Sequence, residues 1–244
     1  MNTTQSLIQA LGSPDGTQRR HAALALGAQR DASVVGPLVE RIRVEADSCV
    51  REDLTWAIVQ HADQAEAALT DLLASQEPGD RRTAAHVLSK VANPEHFDRV
   101  RPLVADEHPD VAIKAYRAAA NTGGDAAVEA LAARLGDGDL LQRDALSNAF
   151  ATIGAASTGA LVAALSSDRV ETREHAAEAL GHMGEDAAGA VEALEAAAGD
   201  ADASVRLTAA ASLGQLGEGA AASLGRLSAS DDAVVARIAA SYLA

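Results

Sequence analysis

The sequence predicts an all-α protein, an α-solenoid of about eight stacked helical hairpins. Three observations predict it. The chain has 244 residues, 59 of them alanine and only five aromatic. One residue pattern recurs eight times with a period close to 31. Within each copy the apolar positions follow helical and not strand spacing. Alanine has the highest helix propensity and lets helix axes approach closely, whereas sheets favour β-branched and aromatic residues. An all-β fold is therefore disfavoured, and a hydrophobic share of 48% is too high for wholesale disorder.

The clearest copy of the pattern is DASVRLTAAASLG, Asp202 to Gly214. It opens on an anchor, with Arg four residues later, small residues at seven and eight, and Leu-Gly at eleven and twelve. The other anchors are Asp15, Asp47, Glu77, His108, Asp139, Arg169 and Asp232. At 100° per residue, positions three, four, seven, eight and eleven after the anchor share one side of a helix, which we term helix B. Aspartate is a good N-cap, and Gly27, Gly181 and Gly214, which follow the leucine at position eleven, suit helix ends or close packing. Between B helices lie shorter apolar-periodic stretches, the A helices, seen in Leu38 with Ile42, Leu69 with Leu73, Leu131 with Leu135, Leu161 with Leu165, and Val191 with Leu194. Gly and Pro punctuate the junctions at Pro78-Gly79, Pro94, Pro109 and Gly123-Gly124.

A hairpin of this size cannot bury its apolar stripe alone, so neighbours must stack. The expected organisation is one domain over 1–244, with hairpins at 1–30, 31–61, 62–92, 93–122, 123–154, 155–183, 184–216 and 217–244. Arg at position four (Arg19, Arg51, Arg81, Arg143, Arg173, Arg206) lies on the packed side and is expected to bond a nearby acid or loop carbonyl. Ala112 and Ala236 replace it in repeats four and eight. Tetratricopeptide and ankyrin arrays have nearby periods, but their Trp-Leu-Gly-Tyr and Thr-Pro-Leu-His signatures are missing.

RRHAALALG (Arg19 to Gly27), TREHAAEALG (Thr172 to Gly181) and VRLTAAASLG (Val205 to Gly214) resemble the short HEAT-like repeats named after phycobilisome bilin lyases. The resemblance covers essentially the whole chain. It implies a right-handed superhelix whose B helices line the inner face, but it leaves function open, because the family includes lyases, a di-iron hydroxylase and adaptors. With the acid excess described next, it reads as a halophilic archaeal member.

Asp and Glu number 35 against 20 Lys and Arg, for a formal charge of −15, and only Lys90 and Lys114 are lysines. Such a balance suits molar salt, where the Debye length is about 3 Å. A GC-rich genome favouring Arg, Ala and Asp is the other source. Either way, broad attraction to nucleic acid or anionic lipid is disfavoured. Cys49 is the only cysteine, excluding an intrachain disulfide or a cysteine-rich zinc cage, and it is expected to be inert packing. Met1 to Leu11 lacks a signal-peptide pattern, and nowhere do eighteen apolar residues run together, so cytoplasmic localisation without membrane insertion is expected.

Positions two, five, six, nine and thirteen face away from the apolar stripe, and the resemblance makes them the candidate partner-binding row. Position nine reads Leu24, Trp56, His86, Arg117, Asn148, Glu178, Ala211 and Ser241. Arg82, His86, Lys90, Lys114 and Arg117 gather both lysines beside Trp56, a cationic pocket for an acidic peptide or a phosphate. Asn148 and Glu178 extend the row. His175, Glu178 and His182 share a helix at spacings of three and four, a weak metal candidate needing a further ligand such as Asp144 or Asn148; a solvated polar face is the expected reading, with no metal and no cofactor.

Deoxyhypusine hydroxylases of this family carry His-Glu pairs at positions five and six, and no such pair occurs here. Walker-A, Gly-x-Gly-x-x-Gly, Gly-x-Ser-x-Gly and His-Glu-x-x-His strings are missing too. The reading is a non-catalytic protein-interaction scaffold. The alternative is a bilin lyase-like or DNA glycosylase-like protein using the Trp56 and Arg117 region, with Asp53 nearby. Val234, Val235 and Ile238 are expected on an outer C-terminal face, suited to self-association or continuation into a longer chain.

Overall fold

Each of the five aspartate anchors caps the helix that follows it. Asp15, Asp47, Asp202 and Asp232 accept from backbone amides two or three residues on, and Asp139 forms a capping box with Gln142. The computed structural model describes residues 3–243, and among them there is no strand.

A and B helices alternate. They are α1 (Thr3–Ala10) with α2 (Gly16–Gly27), α3 (Val35–Val44) with α4 (Ser48–Val59), α5 (Ala62–Leu73) with α6 (Pro78–Val91), and α7 (Phe97–Val100) with α8 (Pro109–Gly123). Then follow α9 (Val128–Ala132) with α10 (Leu140–Ile153), α11 (Thr158–Ala164) with α12 (Val170–Met183), α13 (Val191–Ala197) with α14 (Ala203–Leu213), and α15 (Ala221–Leu227) with α16 (Ala233–Ser241). The fold class is the expected all-α solenoid type. Many A helices are shorter than the B helices and enter through a 3-10 turn, as at Ala32–Val34, Gly124–Ala127 and Gly154–Ser157.

Contacts gather the chain into two compact units, residues 1–118 and 119–244. In the first, α2 packs on α4 and α4 on α6; in the second, α10, α12, α14 and α16 pack in order. The seams between B helices are made of alanine: Ala22, Ala23, Ala57, Ala84 and Ala85 in the first unit, and Ala176, Ala177, Ala179, Ala209 and Ala210 in the second, are buried. Leu26, Leu54, Ile58 and Leu88 fill the space toward the A helices in the first unit, as Leu146, Leu180 and Leu213 do in the second. Gly27 shows how close the helices come, because a Cβ there would stand 2.7 Å from the Ala57 Cα and 2.7 Å from the Trp56 ring. Gly181 meets Ser212 in the same way.

One segment, Leu140–Ala164, is apolar enough by composition to cross a bilayer. Gly154 breaks it at φ 79°, so neither α10 nor α11 reaches the roughly 20 residues a span needs. Val235, expected on an outer face, is buried, while Val234 is exposed. The helical wheel places Val235 at position three of the stripe, so the structure corrects that reading.

Four of the six position-four arginines bond both expected partner types in a fixed geometry. Arg19, Arg81, Arg173 and Arg206 each donate to two carbonyls of the loop before their own helix, those of Ser13 and Pro14, Ser75 and Gln76, Ser167 and Asp168, and Asp200 and Ala201. The guanidinium then reaches an acid of the next repeat: Glu45, Asp106, Asp200 or Asp232. Three of these acids stand two residues before an anchor and also accept from the anchor amide, at Asp47, His108 and Asp202. Each clip thus joins two loops and two repeats with charge-assisted bonds.

Glu45 is the most enclosed of these acids. Burial alone would push its carboxyl up, but Arg19, the Asp47 amide and Arg41 outweigh it and hold the group at about 2, below the usual 4.5. Because the folded value is depressed, the contribution is complete above about pH 4.5 and is lost as pH falls toward 2. Urea titrations from pH 6 downward are expected to show a steeper loss of stability in the natural chain than in Glu45→Gln, which keeps only the share of the other depressed carboxylates such as Asp106 and Asp200. Thermal melts of Gly27→Ala should show destabilisation by about 1–3 kcal/mol, despite a propensity gain of about 1 kcal/mol, because the added Cβ meets backbone.

Candidate functional site

The open face of α4, α6 and α8 in the first unit carries the chemistry. Glu52, one turn into α4, faces α6 across the groove, where its Oε1 takes an ion pair from Lys90 Nζ at 2.7 Å and its Oε2 a hydrogen bond from His86 Nε2 at 3.1 Å. The hydrogen bond from the Lys90 ammonium, helped by His86 and opposed by burial, holds the Glu52 carboxyl below the usual carboxylate range. Lys90 and His86 are therefore occupied by one acid.

Arg82, Lys114 and Arg117 are not. Among the described residues no carboxylate stands within ion-pair distance of any of them. Arg82, Lys114 and Arg51 line a cavity of about 170 Å³ together with Ser48, Glu52, Thr55, Thr83 and His86. Burial, followed by the fields of Arg82 and Arg117, pushes the Lys114 ammonium below 10.5, and burial followed by Arg82 lowers Arg51. The His86 ring is lowered chiefly by burial, with Lys114 and Lys90 opposing the pull of Glu52. Its Nδ1 is buried without a hydrogen-bond partner. Like charges are thus held close in a chain whose formal charge is −15.

By its spacing Arg51 is expected only on the packed side, and no spacing singles out Glu52. The signal that marks Arg51 lies elsewhere. In the next repeat the position two before the anchor is Ser75, where three of the four clips have an acid. Ser75 donates to Asp80, which is itself taken by Arg43. Arg51 therefore donates to the Ile42 and Glu45 carbonyls and to Thr83 Oγ1, and no carboxylate neutralises it.

Trp56 stands next to this cavity, 41% exposed, and with Leu24, also 41% exposed, forms one wall of a 430 Å³ recess. Glu52, Asp53, Val59 and Lys90 complete it, so the two spaces share Glu52. Asp53 is held by Arg20 at 2.6 Å and is not free to act on a ligand.

In the second unit Asn148, Glu178 and His182 are exposed on the B-helix face, with Asn148 Oδ1 3.1 Å from His182 Nε2. His175 is not with them. It is fully buried, its Nδ1 accepts from the Gly136 amide at 3.1 Å, and its Nε2, which then carries the proton, donates to the Arg143 carbonyl at 3.1 Å. The candidate set of His175, Glu178 and His182 is corrected accordingly: position six points at the preceding B helix. Thr83 and Asp53, also at position six, bond the preceding helix in the same way. Among the described residues no group of three metal-ligating side chains forms. Cys49, expected to be packing, is exposed at the start of α4 because position two faces outward.

Burial lowers the His175 ring to about 4. Its NMR signals are expected to remain those of the neutral ring from pH 7.5 to about pH 5 and to be unmoved by equimolar zinc. A zinc-induced shift of both His175 and His182 would contradict this placement.

A profile describing HEAT repeats matches residues 66–149 and 158–244, well over half of the chain. No curated protein matches significantly. Among solved structures, the karyopherin Kap121p bound to the SUMO protease Ulp1p is similar at 13% identity and a TM-score of 0.60, over 98% of this chain and 32% of that one. Kap95p, in a structure describing its binding to RanGDP, is similar at 11% identity and a TM-score of 0.63, over 99% of this chain and 40% of that one. The CpcE and CpcF phycocyanin lyase complex from Nostoc sp. PCC7120 is similar at 20% identity and a TM-score of 0.46, over 99% and 95% of the two chains. At these identities the likeness concerns the fold.

Proposed function

The chain belongs to the HEAT-repeat family, and from that premise we propose that it is a non-catalytic scaffold binding another protein on the B-helix face, where an acidic segment seats on Arg82, Lys114 and Arg117. The observation that carries the reading is the unneutralised trio of cations in a strongly acidic protein. On the same face of this unit Arg20 is paired with Asp53 and Lys90 with Glu52. Leaving three cations without acids costs stability through mutual repulsion, and a partner's carboxylates would relieve it. Trp56 and Leu24 supply apolar area beside the charge, the combination on which protein recognition concentrates. Proteins similar in fold bind other proteins: Kap121p is bound to Ulp1p, and Kap95p binds RanGDP. Asn148 and Glu178 offer a second, uncharged-to-acidic stretch of the face in the other unit, and the setting proposed for the protein is the cytoplasm.

The rival reading, a nucleic-acid-binding or lyase-like protein using Trp56 and Arg117, draws on the same cations. Against it stands the overall charge, which would repel a polyanion longer than the cluster. The test is a titration of the full chain with a short Glu- and Asp-rich peptide, followed by the fluorescence of Trp56, the only tryptophan. Binding is expected, weakened about tenfold or more when Arg82, Lys114 and Arg117 are all changed to Glu. Peptide binding indifferent to that reversal, or retention of a DNA oligonucleotide with a steep salt slope, would contradict the proposal.

A further inference from the structure

We propose that the small cavity between α4, α6 and α8 is a phosphoryl-binding site, so that the segment this protein reads carries a phosphorylated serine or threonine. This rests on the scaffold reading and adds to it the chemistry of the residue bound.

Size is the first argument. At about 170 Å³ the cavity takes one compact ionic group and is too small for a nucleotide or an organic cofactor. Charge is the second. Arg51, Arg82 and Lys114 line it against one acid, Glu52, and both Glu52 oxygens are turned to His86 and Lys90. A peptide carboxylate brings a single charge and leaves the remaining cations repelling one another. A phosphomonoester brings about 1.5–2 negative charges and three strong acceptor oxygens. That matches a wall made of two guanidinium groups and an ammonium. The Ser48 hydroxyl also lines the cavity and has no hydrogen-bond partner among the described residues.

The third argument is the break in the repeat. In four repeats the position-four arginine meets a carboxylate of the following repeat. Arg51 meets Thr83 instead, and the place of the acid is held by Ser75. The scaffold's ordinary neutralising group is thus missing at the one position-four arginine that borders this cavity. A side-chain phosphate, and not the free ion, is assigned because the recess of Leu24, Trp56 and Val59 adjoins the cavity through Glu52. An apolar side chain next to the phosphorylated residue would rest there.

The test compares a short peptide bearing one phosphoserine flanked by leucine and glutamate with the same peptide carrying glutamate or plain serine at that position. Inorganic phosphate serves as competitor, and Trp56 fluorescence and calorimetry are the readouts, in the lowest salt at which circular dichroism shows the helices intact. The phosphopeptide is expected to bind about tenfold or more tightly than the glutamate peptide. Arg82→Gln and Lys114→Gln should each remove that preference, while Arg117→Gln, outside the cavity, should weaken both peptides and preserve it. Equal binding of the phosphoserine and glutamate peptides would overturn the phosphoryl assignment and leave the scaffold reading standing. Binding of inorganic phosphate with no binding of the phosphopeptide would overturn the assignment to a side chain. Failure of every acidic peptide, with the chain folded, would overturn both readings.

Discussion

Close approach of neighbouring B helices is the constraint from which the other features follow. It is set by residues that have almost no side chain. Ala57 lies against Gly27, and Ser212 against Gly181, at distances that leave no room for a further carbon on the glycine. Seams this thin bury little area per residue, since the hydrophobic term scales with apolar surface removed from water. The leucines directed at the A helices supply the bulk, and the seams supply register. A side chain at position six has nowhere to go but across the seam, which is why Thr83 and His175 are buried and bonded to the helix before them.

Thin seams also fix where polar groups can sit. The loop before each B helix has carbonyls left over at its turn, and the position-four arginine satisfies two of them while reaching for an acid one repeat onward. Charge balance is therefore handed from repeat to repeat, and a change at one loop is felt in the previous helix. Ser75 leaves Arg51 without a carboxylate, and Ser167 does the same for Arg143, whose Nε is buried without a partner. Only the first of these lies among further free cations, Arg82 and Lys114, and there the imbalance faces an open cavity.

Much of this was legible in the sequence. The period, the aspartate caps and the apolar stripe are local or strictly repeated, so eight copies of one pattern average out the noise of any single copy. Trp56, Arg82, His86, Lys90, Lys114 and Arg117 could be placed on one face by the same wheel. The wheel treats a helix as isolated, however, and its flanks are covered by neighbours. The wheel therefore puts His175 on the open face, where the structure buries it, and puts Arg51 on the packed side without revealing the cavity it lines. The pairing of Glu52 with both Lys90 and His86 links different helices, and no spacing rule within one helix reveals which cations an acid will silence. The acid two residues before the anchor was visible in three repeats, but its role emerges only when the arginine of the preceding repeat is seen beside it.

The account holds that Lys114 sits in an uncompensated field of cations. The chain has two lysines, so ¹³C-labelled lysine gives two side-chain Cε signals, assigned with Lys90→Arg. Titration by NMR is expected to find the Lys114 ammonium losing its proton below 10.5, with the midpoint moving up when Arg82 is changed to Gln. A Lys114 midpoint at or above 10.5, unmoved by that change, would contradict the account.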